Sequence, residues 1–263
     1  MAESPRFLRY VAVGDSFTEG VGDDDPSRPH GVRGWADRVA EVLAARDPAF
    51  GYANLAIRGR KLDQILAEQI EAAMALEPDL VSIYAGANDI LRPRVDLDAL
   101  LARYDDALAR IAASGAHLVV FTAFDPGGSA VYRPIRPRFE RYSDFVRDAA
   151  ARHGATLVDY WHLTEFRDWG YWSEDRMHMG TPGHARMAAA VLDALGFPHD
   201  LPDVAPSARA PGGLRARVAA DAEWLRTGAL PWVHRRLTGR SSGDGLSPRW
   251  PIPVRPAGAD SGT

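Results

Sequence analysis

The chain has 263 residues, 46% of them hydrophobic, with a formal net charge of -4 and a pI near 6.1. That is enough apolar material for one well-buried domain plus an appendage, and the charge excludes a general nucleic-acid binder. With no cysteine, disulfides, thiolate nucleophiles and Cys-ligated metals are all excluded.

Apolar, strand-like runs and helical patterns then alternate along the chain. The first run, Leu8–Val13, ends at Gly14-Asp15-Ser16-Phe17, so one hydroxyl is delivered to the rim of a sheet. A helix over 35–45 follows, then a strand at Tyr52–Leu55, a helix over 62–76 and a strand at Leu80–Tyr84. Leu97, Leu100, Leu101, Tyr104, Leu108 and Ile111 share one face of a helix over 97–113, capped by Asp96 or Asp98 and ended by Gly115. A strand at His117–Phe124, a helix over 139–153 and a strand at Thr156–Tyr160 come next. A last helix over 183–195 begins after Thr181-Pro182. The strands are apolar on both faces and bounded by Gly, Asp or Pro, as buried parallel strands are. Five such alternations predict an α/β domain with a doubly wound, five-stranded parallel sheet.

Beyond Phe197 the character changes. Pro198, Pro202, Pro206 and Pro211 punctuate a connector, so a boundary is placed near residue 200, separating a domain of residues 1–200 from an appendage of residues 201–263. The appendage holds two short helical patterns, at 214–225 and 230–237, with Trp224, Leu225, Trp232 and Val233 available to dock on the domain. Residues 205–263 carry nine Arg against four acids, which makes the appendage basic. Residues 239–263, rich in Gly, Ser and Pro, are expected to lack regular structure. No apolar run approaches membrane-spanning length, and the N-terminus lacks the pattern of a secretory signal. A cytoplasmic protein with no membrane insertion is expected.

In a doubly wound sheet the ligand sits at the carboxyl ends of the strands. The segments found there are polar and glycine-containing: Asp15-Ser16, Asn54 with Arg58-Gly59, Gly86-Ala87-Asn88-Asp89, Asp125-Pro126-Gly127-Gly128, and a loop ending Asp175-Arg176-Met177-His178. Ser16 needs a base within hydrogen-bond reach, and His178 is the candidate because Asp175, three residues earlier, can orient its ring. A tetrahedral oxyanion needs preorganised donors; the Ser16 and Gly59 N–H groups and the Asn88 amide are available. Asp15 and Asp89 suit the bonding of loop amides rather than chemistry. No His-Glu-x-x-His or carboxylate cluster points to a metal, and no cofactor is called for.

Gly14-Asp15-Ser16, Asn54 to Gly59, Gly86-x-Asn88-Asp89 and Asp175-x-x-His178 resemble, in order and separation, the four sequence blocks of the SGNH (GDSL-type) hydrolases. The resemblance spans about residues 8–197. It implies a flavodoxin-like three-layer α/β/α sandwich and a serine esterase whose nucleophile is Ser16, base His178 and orienting acid Asp175. It also implies an oxyanion hole of Ser16, Gly59 and Asn88. Phe17 stands where the family's short name has Leu, and the appendage lies outside the blocks. The Gly-x-Ser-x-Gly elbow of another hydrolase fold is absent around Ser16.

On the substrate side, Phe124, Asp125 and Trp172 are candidate binding residues, with Tyr132, Trp169 and Tyr171 nearby in sequence. These aromatic side chains either line an acyl pocket or brace the loops. Arg58, Asp125 and Arg133 either meet a polar substrate group or pair with one another. The expected partner is a small-molecule ester; oligomeric state is not legible. A thioesterase, a lysophospholipase or a carbohydrate deacetylase would use the same residues, and a binding protein could retain the fold without turnover.

Overall fold

A computed structural model of the chain describes residues 6–92, 94–128, 132–208, 226 and 241–256. Its sheet runs β5-β4-β3-β1-β2-β6, with β1 Arg9–Gly14, β2 Gly51–Asn54, β3 Leu80–Tyr84, β4 His117–Phe121, β5 Thr156–Val158 and β6 Trp250–Val254. The first five strands are mutually parallel and have the flavodoxin order 2-1-3-4-5, whose topological switch lies between β1 and β3. Helices α2 (Trp35–Ala44) and α8 (Thr181–Ala194) pack together, and α6 (Leu97–Ala113) packs against α7 (Arg136–His153). These pairs sandwich the sheet, and every residue of β3 is buried.

Helix α6 keeps its predicted bounds, with the Asp96 carboxylate accepting from Ala99 N–H at 3.0 Å. The predicted helix over 62–76 is interrupted: α3 (Leu62–Ile65) and α4 (Glu71–Ala75) flank a π-helical segment, Leu66–Ile70. Two short helices, α1 (Ser16–Glu19) and α5 (Ala87–Ile90), start directly after the β1 and β3 ends.

The sheet has six strands, not five, because part of the segment expected to be irregular forms β6. It runs antiparallel to β2, with Val254 opposite Tyr52 and Trp250 opposite Asn54. Prolines in Trp250-Pro251-Ile252-Pro253-Val254 argue against an inner strand, but an edge strand has one side that needs no donors. Two residues without N–H groups also blunt the sheet's outer margin against further pairing. The helical patterns at 214–225 and 230–237, with Trp224, Leu225, Trp232 and Val233, lie outside the described residues.

Just before β6, the Arg249 side chain is fully buried. It donates to Asp37 Oδ2 at 2.7 Å and to the carbonyls of Glu19 at 2.6 Å, Val32 at 2.5 Å and Pro29 at 3.1 Å. With its donors so satisfied, the guanidinium recovers much of its lost hydration. Removing it would leave the buried Asp37 carboxylate with Tyr52 OH at 2.8 Å and only a 3.5 Å contact to a cation, Arg28, at a cost of about 3–5 kcal/mol.

His184, at the start of α8, is equally buried. Its Nδ1 accepts from Trp35 N–H at 3.1 Å, so the proton sits on Nε2, which faces Val21 O at 3.2 Å. This neutral ring ties α8, α2 and the loop after α1 together. Burial pushes its pKa down to about 4. Between about pH 6.5 and 4 the unfolded chain binds a proton that the folded ring refuses, so stability falls as pH falls through that window. The expected contribution is on the order of 3 kcal/mol. Thermal melts of wild type and His184→Gln should converge as pH drops from 7 to 4; a constant gap between them would contradict this.

Candidate active site

The register of the sheet builds the site. Gly14, last in β1, lies opposite Tyr84, last in β3, so the two following loops leave the sheet side by side. Only glycine fits at position 14: a Cβ there would lie 2.7 Å from both Tyr84 O and Thr18 Oγ1. Gln69, carried by the π segment, closes the strand end. Its Oε1 accepts from Gly14 N–H at 2.8 Å and its Nε2 donates to Gly14 O at 2.9 Å. Asp15 caps α1 by accepting from Phe17 N–H at 3.1 Å, which leaves Ser16 as the first helical residue.

Asn88, in α5, joins three loops. Its Nδ2 donates to Asp15 Oδ2 at 3.0 Å and to Arg60 O at 3.1 Å. Asp89 Oδ2 accepts from Leu62 N–H at 2.8 Å, holding the start of α3. Both aspartates thus act on loop groups, as the sequence suggests. Gly59 turns with φ +77°, a left-handed conformation that side chains resist. Arg58 beside it is engaged by the buried Glu19, which accepts from Arg58 N at 2.6 Å, Nε at 2.9 Å and Nη2 at 2.6 Å. Glu19 also bonds His30 Nδ1 at 2.8 Å.

His178 and Asp175 come from the loop before α8. Asp175 Oδ2 lies 2.6 Å from His178 Nδ1, while its Oδ1 accepts from Ser173 Oγ at 2.7 Å, Met177 N at 2.8 Å and His178 N at 3.0 Å. Burial opposes the Asp175 charge, but the His178, Ser173 and Met177 bonds outweigh it and hold the carboxyl well below the usual carboxylate range. An ionised Asp175 can only accept, so the shared proton sits on Nδ1, which in the neutral ring is the tautomer that keeps the lone pair on Nε2. Asp15 is the opposite case. Burial dominates the lowering by Phe17 N–H and His178, and its pKa is pushed up to about 7.

A cavity of about 110 Å³ opens over these loops. Ser16, Asn88 and His178 lie on its wall, and Phe124 and Trp172 line it with Phe17, Tyr84, Phe139 and Tyr160. Trp172 meets Phe124 edge-on at 5.1 Å between ring centroids and donates from Nε1 to Phe166 O at 2.7 Å. Tyr132 also lines the cavity, whereas Trp169 and Tyr171 do not. Asp175 stands behind His178, and Gly59 is not on the wall. Asp125 is not on it either: its carboxylate is taken up by Arg136 Nε at 2.8 Å, Arg167 Nη2 at 2.7 Å and Gly127 N–H at 2.9 Å. Among the described residues no three His, Asp or Glu side chains converge as metal ligands would. No helix among them is long and apolar enough to cross a membrane.

Sequence reasoning missed Glu19, Gln69 and Arg249. Glu19 carried a faint signal, a carboxylate three residues past the serine in a helix too short to expose it. Gln69 and Arg249 meet their partners across 55 and more than 200 residues, where no local pattern reaches.

Residues 12–186 match the profile of the GDSL-like lipase/acylhydrolase family. An acetylxylan esterase of Geobacillus stearothermophilus is 26% identical over 212 residues, covering 72% of this chain and 94% of that protein. Among solved structures, LAE5, an α/β hydrolase from the metagenome of Lake Arreo in Spain, has TM-score 0.61 at 24% identity, covering 73% of this chain and 97% of its own. TesA has TM-score 0.57 at 24% identity, covering 72% and 98%. The family match takes in the serine, asparagine and histidine loops and two thirds of the sequence, and so the chain belongs to the GDSL-like lipase/acylhydrolase family.

Proposed function

We propose that the chain is a serine esterase that cleaves carboxylic esters through an acyl-enzyme, with Ser16 as nucleophile, His178 as base and Asp175 as its orienter. The observation that carries this reading is the 2.6 Å contact from Asp175 to His178 Nδ1, with His178 and Ser16 on the wall of one cavity. Asp175 selects the tautomer in which Nε2 can take the Ser16 proton as Oγ attacks the ester carbonyl. The resulting imidazolium returns that proton to the departing alkoxide, releasing the alcohol. A water then repeats the sequence on the acyl-enzyme, so that acid and alcohol are the products and Ser16 is restored.

The oxyanion would be met by Ser16 N–H, Gly59 N–H and the Asn88 amide. Asn88 now donates to Asp15 and to Arg60 O, so it would exchange one of these acceptors for the oxyanion. Its contact with Arg60 brings the Gly59 turn to the same corner. Each such donor contributes about 3–4 kcal/mol to the barrier when removed.

The cavity wall is mainly aromatic and aliphatic, which suits an apolar acyl group larger than acetyl. The acetylxylan esterase relative favours a second reading, removal of acetyl groups from carbohydrates by the same residues. Thioester and lysophospholipid substrates would use the same chemistry.

A fluorophosphonate probe should label Ser16 in the wild type and leave Ser16→Ala unlabelled; equal labelling of both would disprove the nucleophile. Asp175→Asn should bind substrate with little change in KM and lose about 10^3- to 10^4-fold in kcat, because the tautomer is no longer enforced. Retention of more than a tenth of wild-type kcat would remove Asp175 from the mechanism. Across p-nitrophenyl esters from acetyl to octanoyl, kcat/KM should peak beyond acetyl. A maximum at acetyl with a steep fall at butanoyl would favour the deacetylase reading instead.

A further inference from the structure

Residues 241–256 lie wholly outside the stretch matched to the family, yet they grip the Arg58-Gly59 turn of the site. Ser241 Oγ donates to Arg58 O at 3.3 Å, and Gly243 N–H donates back to Ser241 Oγ at 3.1 Å. A Cβ on Gly59 would collide with Ser241 Oγ, and one on Gly243 would collide with the Arg58 carbonyl oxygen. The backbone of Gly243 therefore lies directly against the Arg58 carbonyl, while Ser241 reaches the turn through its hydroxyl. Six residues after Gly243, Arg249 donates to Glu19 O, the carbonyl that ends the nucleophile's own helix. Glu19's side chain in turn holds Arg58 by three bonds. The contacts close a ring: Ser16 to Glu19 through α1, Glu19 to Arg58, the Arg58-Gly59 turn to Ser241 and Gly243, and Arg249 back to Glu19.

We infer that the C-terminal segment is a working part of the active site, in which Ser241, Gly243 and Arg249 are positioning residues that set the Gly59 N–H relative to Ser16. This rests on the esterase reading and adds to it a second, non-local support behind the oxyanion site. Preorganised donors stabilise the transition state only if they are fixed before charge develops, since a donor that must first move contributes less. None of the three touches substrate. A shift of the Gly59 turn should weaken transition-state binding while ground-state binding in the aromatic cavity persists.

The test uses the full-length protein, p-nitrophenyl butyrate kinetics, thermal melts, and inhibition by a phenylboronic acid, whose adduct on Ser16 carries a tetrahedral anion. Gly243→Ala pushes on Arg58 O and should lower kcat tenfold or more with KM within twofold. The inhibition constant for the boronic acid should rise by a similar factor. Ser241→Ala, a milder change, should move kcat and the inhibition constant together by threefold or more, and it decides the matter if Gly243→Ala fails to fold. Ile252→Ser, exposed on the same segment and away from the turn, should leave all three values unchanged. If either clasp variant is folded with wild-type kcat and wild-type boronic acid inhibition, whatever its melting temperature, the positioning role is wrong while the esterase reading stands. A folded wild type that neither hydrolyses esters nor accepts a fluorophosphonate would overturn both.

Discussion

Glu19 is a carboxylate with no exposure to solvent, three residues past Ser16, and the arrangement of the site hangs on how its charge is met. An unpaired carboxylate there would cost several kcal/mol, so the fold must bring it donors. It does so with Arg58, through the backbone N–H and two guanidinium nitrogens, and with His30. Burial resists the charge, but the Arg58 and His30 bonds win and hold the carboxyl below its ordinary range. The consequence is mechanical. The loop after β2, whose backbone bonds to β1 end at Ile57, is tied to the helix that carries Ser16.

Around that pair the remaining constraints are backbone constraints. Pairing of Gly14 with Tyr84 sets Ser16 beside the Asn88 loop, and Gln69 accepts from Gly14 N–H and joins Ile57 N–H in donating to Gly14 O. Leaving the buried Gly14 N–H without its glutamine acceptor would cost about 1–3 kcal/mol. A π-helical segment is an uncommon element found often at functional sites, and here it supplies that glutamine. His178 rests on separate supports, the Asp175 turn and the bridge between Trp172 and Met179. Ser16 and His178 therefore reach one cavity from two loops, each with its own internal bracing.

Much of this was legible in the residues alone, and the reason is locality. Strands β1 to β5 announce themselves as short runs apolar on both faces, and Asp175 and His178 are three positions apart, within one turn. Gly14-Asp15-Ser16 is informative because its glycine is sterically obligatory against Tyr84 O. What stayed hidden is non-local or compositional. Nothing in the sequence around Glu19 says that Arg58 will reach it, and the predicted helix over 62–76 gives no sign of its π segment. Residues 250–254 misled because proline normally argues against a strand, whereas an outer edge tolerates it. Asp125, considered as a substrate ligand, is instead consumed by Arg136 and Arg167.

In the proposed reaction Ser16 carries the acyl group between the two half-reactions. Rapid acid quenching during turnover of a slowly deacylating ester, followed by peptide mass spectrometry, tests it most directly. One acyl group per chain is expected on the peptide containing Ser16, appearing with the initial burst of alcohol and decaying at the rate of turnover. Steady hydrolysis with no acylated protein, or acylation of another residue at that rate, would contradict it.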